Sequence, residues 1–391
     1  MIIDEGIKTT RRYENISPFT ESDARCAMDY VASKVRECIS IFGDKFPAPA
    51  SARLVYPLID NNDWTNGFWT GLLWLCYGYT DDKVFRDAAY RNCLSFKERI
   101  EKQISVDHHD LGFLYSPSCV EGYKLTGDVM MKNAAVAAAD RLLLRFHSKG
   151  NFIQAWGRMD DPEAYRLIID CMNNIPLLFW ASEATGDGKY ADIARLHADT
   201  SSKTVIRSDA STHHTFYFDP KTGAPLKGVT NQGFSDDSAW ARGQAWGISG
   251  FSLAYTYTEN EDYIALVEKV ANYFLNRLSA DYIPYWDLIF SDGSGEEKDS
   301  SAAAVAVCGL LELLKTYDGK YASVYRSAVS AIMRSLAGNY TTVGKDSTGI
   351  LMHSVYGKPQ GRGIDECTAW GDYYYAEALM RIINPDFPLC W

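Results

Sequence analysis

Four short stretches of the sequence hold more functional groups than a solvated helix surface requires. They are DNNDWTNGFWTG (60–71), with Asp63, Trp64 and Trp69; DHHDLGF (107–113), with His109 and Asp110; YRLIIDCMNN (165–174), with Asp170; and NQGFSDDSAWARGQAWG (231–247), with Gln232, Trp240, Arg242 and Trp246. Asp170 is the most informative. Leu167, Ile168 and Ile169 lead into it and Ile175 to Phe179 follow, so the segment reads as a buried helix. An ionised, unpaired carboxylate there is costly, so Asp170 must be paired or must keep a proton through a raised pKa. The ordinary alternative is a structural aspartate that caps a neighbouring helix.

Asp110 and Asp170 together make a candidate carboxylate pair for general acid/base work. Trp240, Arg242 and Trp246 read as an aromatic wall with a cation set in it. A guanidinium fork suits a carboxylate, and a cation–π pair that only packs is the alternative. His108, His109 and Asp110 could be metal ligands, but no HExxH, cysteine cluster or second close His/carboxylate motif supports that; no metal and no cofactor are expected. His213 and His214 are adjacent, which is poor chelating geometry. A glycine-rich phosphate loop and a GxSxG elbow are absent, and Cys171 reads as a buried thiol.

These residues need a frame, and the chain carries a loose internal repeat. Helical stretches end in Tyr or Ala, then Thr, then a Gly/Asp/Asn turn, then a fresh helix, with the threonines at Thr80, Thr126, Thr185, Thr258 and Thr316. A unit of roughly fifty to seventy residues is a helical hairpin plus a variable loop, and its repetition marks a helical array or ring. Strand signals are sparse, with one short hairpin expected in THHTFYFDPKTGAPLKGV. Residues 290–301 read as a surface loop before a small-residue helix from Ala302 to Leu314. No linker divides the chain, so residues 1–391 are expected to form one all-α domain, with at most a few short strands in loops.

Composition narrows the partners. The 391 residues are 47% hydrophobic and 23% charged, enough for a large core. A net charge of −11 argues against nucleic acid, which needs clustered cations. No apolar run reaches transmembrane length, and the first residues lack the apolar core of a secretory signal. Nine cysteines without paired spacing fit reduced thiols, so a cytoplasmic location is expected. Ten Trp and 25 Tyr offer flat apolar faces with polar edges, which suit sugar rings as well as cores.

DWTNGFWTG, DHHDLGFLY, GFSDDSAWARGQAWG with YWDLIFSDGSG, and the closing WGDYYYAEAL strongly resemble the bacterial unsaturated glucuronyl hydrolases, glycoside hydrolase family 88. The likeness runs in order over nearly the whole chain. It implies an (α/α)6 barrel of six helical hairpins. The implied substrates are unsaturated glycosaminoglycan di- and oligosaccharides of chondroitin or hyaluronan type left by polysaccharide lyases. The implied reaction is hydration of the C4=C5 enol ether of the terminal unsaturated uronic acid. By resemblance Asp170 is the general acid and base, Asp110 assists it, and Trp64, His109, Trp156, His214, Gln232, Trp240, Arg242 and Trp246 contact sugar. Arg242 is expected to meet the uronate carboxylate, with Trp64 and Trp246 stacking on ring faces. NQGF and DCMNN depart from the usual family wording at Asn231 and Asn173.

In VYGKPQGRGIDEC (355–367), Gly357 and Gln360 stand where sulfate-preferring members carry serines, and Arg362 stands for their lysine; Lys358 offers a second charge. The alternatives are an unsaturated rhamnogalacturonyl hydrolase acting on pectin fragments, a sugar epimerase on the same helical ring, or a non-catalytic sugar-binding module.

Overall fold

Two kinds of helix alternate along the chain, and the difference lies in which faces are apolar. In the computed structural model, which describes residues 2–391, α1 (Glu21–Phe42) buries Ala24, Met28, Val31, Val35, Cys38 and Phe42. That is one stripe at steps of three and four, the pattern of a helix with one face to solvent. Its partner α2 (Asn66–Thr80) buries every residue from Asn66 to Cys76. A helix apolar or small on all sides must be covered on all sides.

The alternation continues. Outer α3 (Lys83–Glu101) leads to an inner unit of α4 (Leu111–Tyr115), a π turn (Ser116–Val120) and α5 (Glu121–Thr126). Outer α6 (Val129–Leu143) precedes inner α7 (Pro176–Thr185), α8 (Lys189–Thr204) precedes α9 (Ala241–Thr258), α10 (Glu261–Leu275) precedes α11 (Ser300–Leu313), and α12 (Ala322–Asn339) precedes α13 (Ala369–Ile383). Each inner element packs on the next, and α13 packs back on α2, which closes a ring of six helical hairpins. The fold is the all-α (α/α)6 barrel that the resemblance implied.

Four of the five repeat threonines share one turn. The Thr80 hydroxyl donates to the Cys76 carbonyl at 2.7 Å, Asp81 takes a left-handed φ of 54°, and the Asp82 amide donates to Thr80 Oγ1 at 3.2 Å. Asp82 then caps α3 by accepting from the Val84 amide at 2.9 Å. Thr126–Gly127–Asp128, Thr185–Gly186–Asp187 and Thr258–Glu259–Asn260 repeat the pattern. Each turn ends an inner helix and starts the following outer one, satisfying carbonyls and amides that would otherwise be orphaned. Thr316 is the exception: α11 ends at Leu313, and the threonine lies beyond the helix it was expected to close.

Strands are short and lie in the connections: β1 (Phe46–Pro47) with β2 (Leu58–Ile59), β3 (Phe146–His147) with β4 (Phe152–Ile153), a three-stranded β5 (Arg166–Ile168), β6 (Thr215–Phe218) and β7 (Pro225–Val229), and β8 (Ser354–Gly357) with β9 (Arg362–Glu366). The β6–β7 hairpin is the one read from sequence. β5 corrects the reading of 167–179 as one buried helix. Its residues pair with β6, Ile169 to Asn173 form a 3-10 turn, and helix begins only at Pro176, where a missing N–H does no harm. The apolar run was real, but strand pairing claimed its first half. The surface loop expected over 290–301 also turns inward at its end: Asp299, Ser300 and Ser301 are buried, and Asp299 caps α11 through the Ser301 and Ala302 amides. Among the described residues, no helix is long and apolar enough to cross a membrane.

Inner helices touch closely enough to need glycine. A Cβ on Gly309 of α11 would lie 2.6 Å from the Ser249 backbone of α9. Gly309→Ala is therefore expected to lower unfolding free energy by about 1–3 kcal/mol through overpacking. Gly338→Ala, in open space on α12, is expected to raise it by about 0.5–1 kcal/mol; urea denaturation of both variants checks the opposite signs.

Candidate active site

Every inner element begins at the same end of the barrel, and the residues singled out by sequence cluster at those beginnings. Trp64 precedes α2, Asp110 precedes α4, Asp170 sits in the turn before α7, and Trp240 and Arg242 open α9. The β8–β9 hairpin leads into α13. Together they enclose a cavity of about 250 Å³ lined by Trp64, His109, Asp110, Trp156, Asp170, His214, Gln232, Trp240, Arg242, Trp246 and Arg362. All the expected site residues thus meet in one place. Trp69 does not; it is a core ring packed edge-on against Phe42.

On the cavity floor, His109 Nε2 lies 3.4 Å from Asp110 Oδ1 and 3.3 Å from Asp170 Oδ1. The histidine side chain is 1% exposed, and the two carboxyl groups keep only 14% and 17% of their surface. Burial pushes the His109 pKa down to about 4, so its ring is neutral at neutral pH. The two carboxyl groups then diverge. Burial, and next the negative Asp110, push Asp170 well above the ordinary carboxyl range. Burial also presses on Asp110, but His109, His108 and Asn174 outweigh it and hold Asp110 below that range. The result is a protonated acid beside a carboxylate, the division of roles that acid/base chemistry uses.

Local folding explains the placement. Asp110 is the residue before α4 but does not cap it, which leaves its carboxylate to the imidazoles. Asn174 joins the two acidic turns: its Nδ2 donates to the Asp170 carbonyl at 3.2 Å, and its Oδ1 accepts from the Phe113 amide at 2.8 Å. Gly112 permits this contact, because a Cβ there would lie 2.3 Å from the Asn174 backbone. Among the described residues, His109, Asp110 and Asp170 are also the cluster able to share a metal ion, with ligand atoms within 4.8 Å of one another. With Asp170 protonated, that trio carries one negative charge.

The walls are aromatic and polar. Trp64 donates from Nε1 to Tyr356 Oη at 3.1 Å and stacks on Trp370. Trp246 is 1% exposed and Trp156 is 37% exposed, so of these rings Trp156 offers the freer face, with Arg166 over it at 4.7 Å. His214 Nδ1 accepts from the Asn231 amide at 3.1 Å, and burial lowers its pKa to about 3. Its proton therefore sits on Nε2.

Arg242 is more committed than its sequence position suggests. Nη1 donates to Asp299 at 3.0 Å and to the Val355 carbonyl; Nη2 donates to Gln232 Oε1 at 3.1 Å and to the Tyr356 carbonyl at 2.7 Å. The guanidinium is sandwiched by Trp240 and Trp370. The cation–π packing read from sequence is present, with Trp370 rather than Trp246 as the second ring.

At the mouth, Arg362 is exposed, and Gly357 and Gln360 line the cavity with it. Lys358 does not supply the second charge expected of it, because Glu296 and Glu297 both pair with its ammonium. Of the two departures, Asn231 lines the cavity, while Asn173 is buried between Trp246 and Ser249. Sequence reasoning passed over Asn174, Asp299 and Tyr356. A cap at the start of a small-residue helix was a usable signal for Asp299; the other two became legible only with the chain folded.

Arg242→Ala would leave Asp299, which has no exposed surface, as an uncompensated buried charge. Its expected cost in stability is about 3–5 kcal/mol, read by thermal or chemical denaturation and separable from any loss of affinity.

The profile of Glycosyl Hydrolase Family 88 matches residues 49–384. The chain is 49% identical over 390 residues to the unsaturated chondroitin disaccharide hydrolase of Streptococcus pneumoniae, covering 99% of this chain and 98% of that protein. The crystal structure of unsaturated glucuronyl hydrolase from Streptococcus agalactiae superposes with a TM-score of 0.97 at 47% identity, covering 100% of this chain and 99% of that one. A mutant of that enzyme complexed with dGlcA-GalNAc6S superposes with a TM-score of 0.89 at 44% identity, with the same coverage. Profile, identity and superposition agree over the length of the barrel: this chain belongs to Glycosyl Hydrolase Family 88.

Proposed function

We propose that this chain, acting as one catalytic domain over residues 1–391, removes the 4,5-unsaturated uronic acid from the non-reducing end of lyase-generated chondroitin- or hyaluronan-type oligosaccharides. The observation that carries this reading is the placement of Asp170 on the floor of an aromatic cavity, 3.3 Å from His109 Nε2, which lies 3.4 Å from Asp110; burial and the neighbouring Asp110 raise the Asp170 pKa. The relatives support the substrate class: one is named an unsaturated chondroitin disaccharide hydrolase, and another was crystallised with dGlcA-GalNAc6S. Nine free thiols and a net charge of −11 support a cytoplasmic enzyme that does not bind nucleic acid.

The unsaturated uronate is an enol ether. Asp170 gives its proton to C4, the π electrons form the new C–H bond, and C5 becomes an oxocarbenium centre shared with the ring oxygen. Water adds at C5 while the Asp170 carboxylate takes its proton, which restores the acid. The C5 hemiketal opens to a ketone, leaving a hemiacetal at C1 that collapses to an aldehyde and releases the next sugar's hydroxyl. Asp110 keeps the proton on Asp170 until C4 arrives, and neutral His109 bridges the two carboxyl groups.

The uronate carboxylate is proposed to lie against Gln232 and Arg242. Gln232 accepts from Arg242 through Oε1, which turns its amide N–H groups to the ligand. Asp299 already balances the guanidinium, so attraction also draws on the inner-helix N-termini that converge there. Trp64, Trp156, Trp240 and Trp246 bound the sugar rings, and His214 donates from Nε2. Arg362 is proposed to attract sulfate at the mouth. With glycine and glutamine in place of hydroxyl donors, the preference for 6-sulfate is weaker than in serine-bearing relatives. Loss of ultraviolet absorbance from unsaturated chondroitin and hyaluronan disaccharides, with a pectin-derived unsaturated disaccharide in parallel, tests the reading. Absorbance that persists on both glycosaminoglycan substrates sinks it.

Asp170→Asn is expected to lose activity by about a hundred- to ten-thousand-fold. It should be no less stable than the native protein at neutral pH. A carboxyl whose folded pKa is raised loses stability as pH climbs from the unfolded to the folded pKa, and the amide escapes that loss. Activity assays and melting curves on one preparation check both halves.

The active form needs Asp170 protonated and Asp110 ionised, so activity should fall as pH rises through the raised pKa of Asp170 and as it drops through the lowered pKa of Asp110. Asp110→Asn removes the neighbouring charge and is expected to move the alkaline limb to lower pH. An unmoved alkaline limb would leave Asp110 only the placing of substrate.

A further inference from the structure

Of the exposed aromatic side chains, Tyr90 lies on outer helix α3, Trp156 lines the cavity, and Phe234 stands two residues beyond Gln232, which also lines it. Phe234 is 56% exposed and has no part in the chemistry described above. It follows Asn231 and Gln232, which line the cavity, and its segment is tied to the β8–β9 hairpin where Gln360 donates to the Asn231 carbonyl.

The ring is held out rather than stranded. Phe290 meets it edge-on at 5.1 Å, Trp286 lies behind both at 6.3 and 5.6 Å, and Ile289 beside them is 58% exposed. Asp287, fully buried, ties the two segments together. Its Oδ2 accepts from the Phe234 amide at 2.9 Å and from the Ser238 hydroxyl at 2.7 Å, and its Oδ1 accepts from the Ile289 amide at 3.1 Å. The same segment bridges to the cavity wall at Trp240. Gly233 is needed for this fit, since a Cβ there would stand 3.1 Å from Asp287 Oδ2 and 3.2 Å from Trp240 Cβ.

We infer that Phe234, with Phe290 and Ile289, forms an outer subsite for the uncleaved sugars of a longer substrate, continuous with the cavity at Asn231 and Gln232. The inference rests on the proposed function. A pyranose presents a face of C–H groups that matches a flat aromatic ring, and an exposed apolar patch built on a rigid frame beside a ligand cavity serves binding. The acidic side chains of Asp236 and Asp237, exposed beside Phe234, repel sulfate. They repel a uronate carboxylate as well, so the sugar that stacks there is a neutral, unsulfated N-acetylhexosamine.

The test compares kcat/KM on hyaluronan-derived unsaturated tetrasaccharide and disaccharide for the wild type, Phe234→Ala, Phe290→Ala, Phe234→Trp and the distant Tyr90→Ala. The tetrasaccharide-to-disaccharide ratio is expected to fall by about threefold to tenfold in Phe234→Ala, chiefly through KM. It should fall less in Phe290→Ala, be kept or raised in Phe234→Trp, and stay put in Tyr90→Ala. A ratio equal to that of the wild type in active Phe234→Ala and Phe290→Ala overturns the subsite alone, whereas a wild type inactive on both sugars overturns the subsite and the proposed function together.

Discussion

A carboxyl group keeps its proton near neutral pH where water is scarce, and more firmly where a negative charge also stands close, and this requirement organises the molecule. Asp170 meets both conditions because a 3-10 turn, clamped between β5 and α7, sets it against Asp110 under a roof of rings. Take away the burial and both carboxyl groups titrate alike. Take away Asp110 and the proton is held less tightly. The neutral His109 between them lets two acids sit within a few ångströms without forcing either charge onto the other.

Such burial needs a wall on every side, which the ring supplies. Inner helices that are apolar or small all round cannot face water, so they close on one another and leave solvent to the striped outer helices. Alternating antiparallel outer and inner helices makes every inner helix run the same way. All their N-termini then meet at one end, which explains why residues from distant parts of the chain share one cavity. The opposite end carries the threonine turns, which close backbone hydrogen bonds and contribute nothing to chemistry.

The buried pair of Arg242 and Asp299 joins these two requirements. It ties α9 to the start of α11 and, through the Val355 and Tyr356 carbonyls, to the β8–β9 hairpin. The same cation thus holds the wall together and orients Gln232 toward the cavity. A charge pair with no exposed surface adds little net stability over an apolar substitute, but losing one partner is costly. The arrangement is a registry device: it permits one placement of the hairpin over the cavity mouth.

Composition, the threonine repeat and the spacing of apolar residues pointed to a helical array or ring with no apolar run of transmembrane length, and the motifs, through their family resemblance, implied the closed ring and named the residues that line its cavity. Asp170 was legible as a carboxyl in an apolar run, because that contrast is local. Its setting was not: the run around it satisfies strand and helix periodicity alike, and pairing of β5 with β6 decided between them. The neutralisation of Lys358 by Glu296 and Glu297, the bond from Arg242 to Asp299, and the bridge of Asn174 between two turns all join residues distant in sequence. Sequence determines which groups are present and which faces must be buried. Which group ends beside which other, and so which carboxyl keeps the proton, depends on distances of a few ångströms that only the closed ring sets.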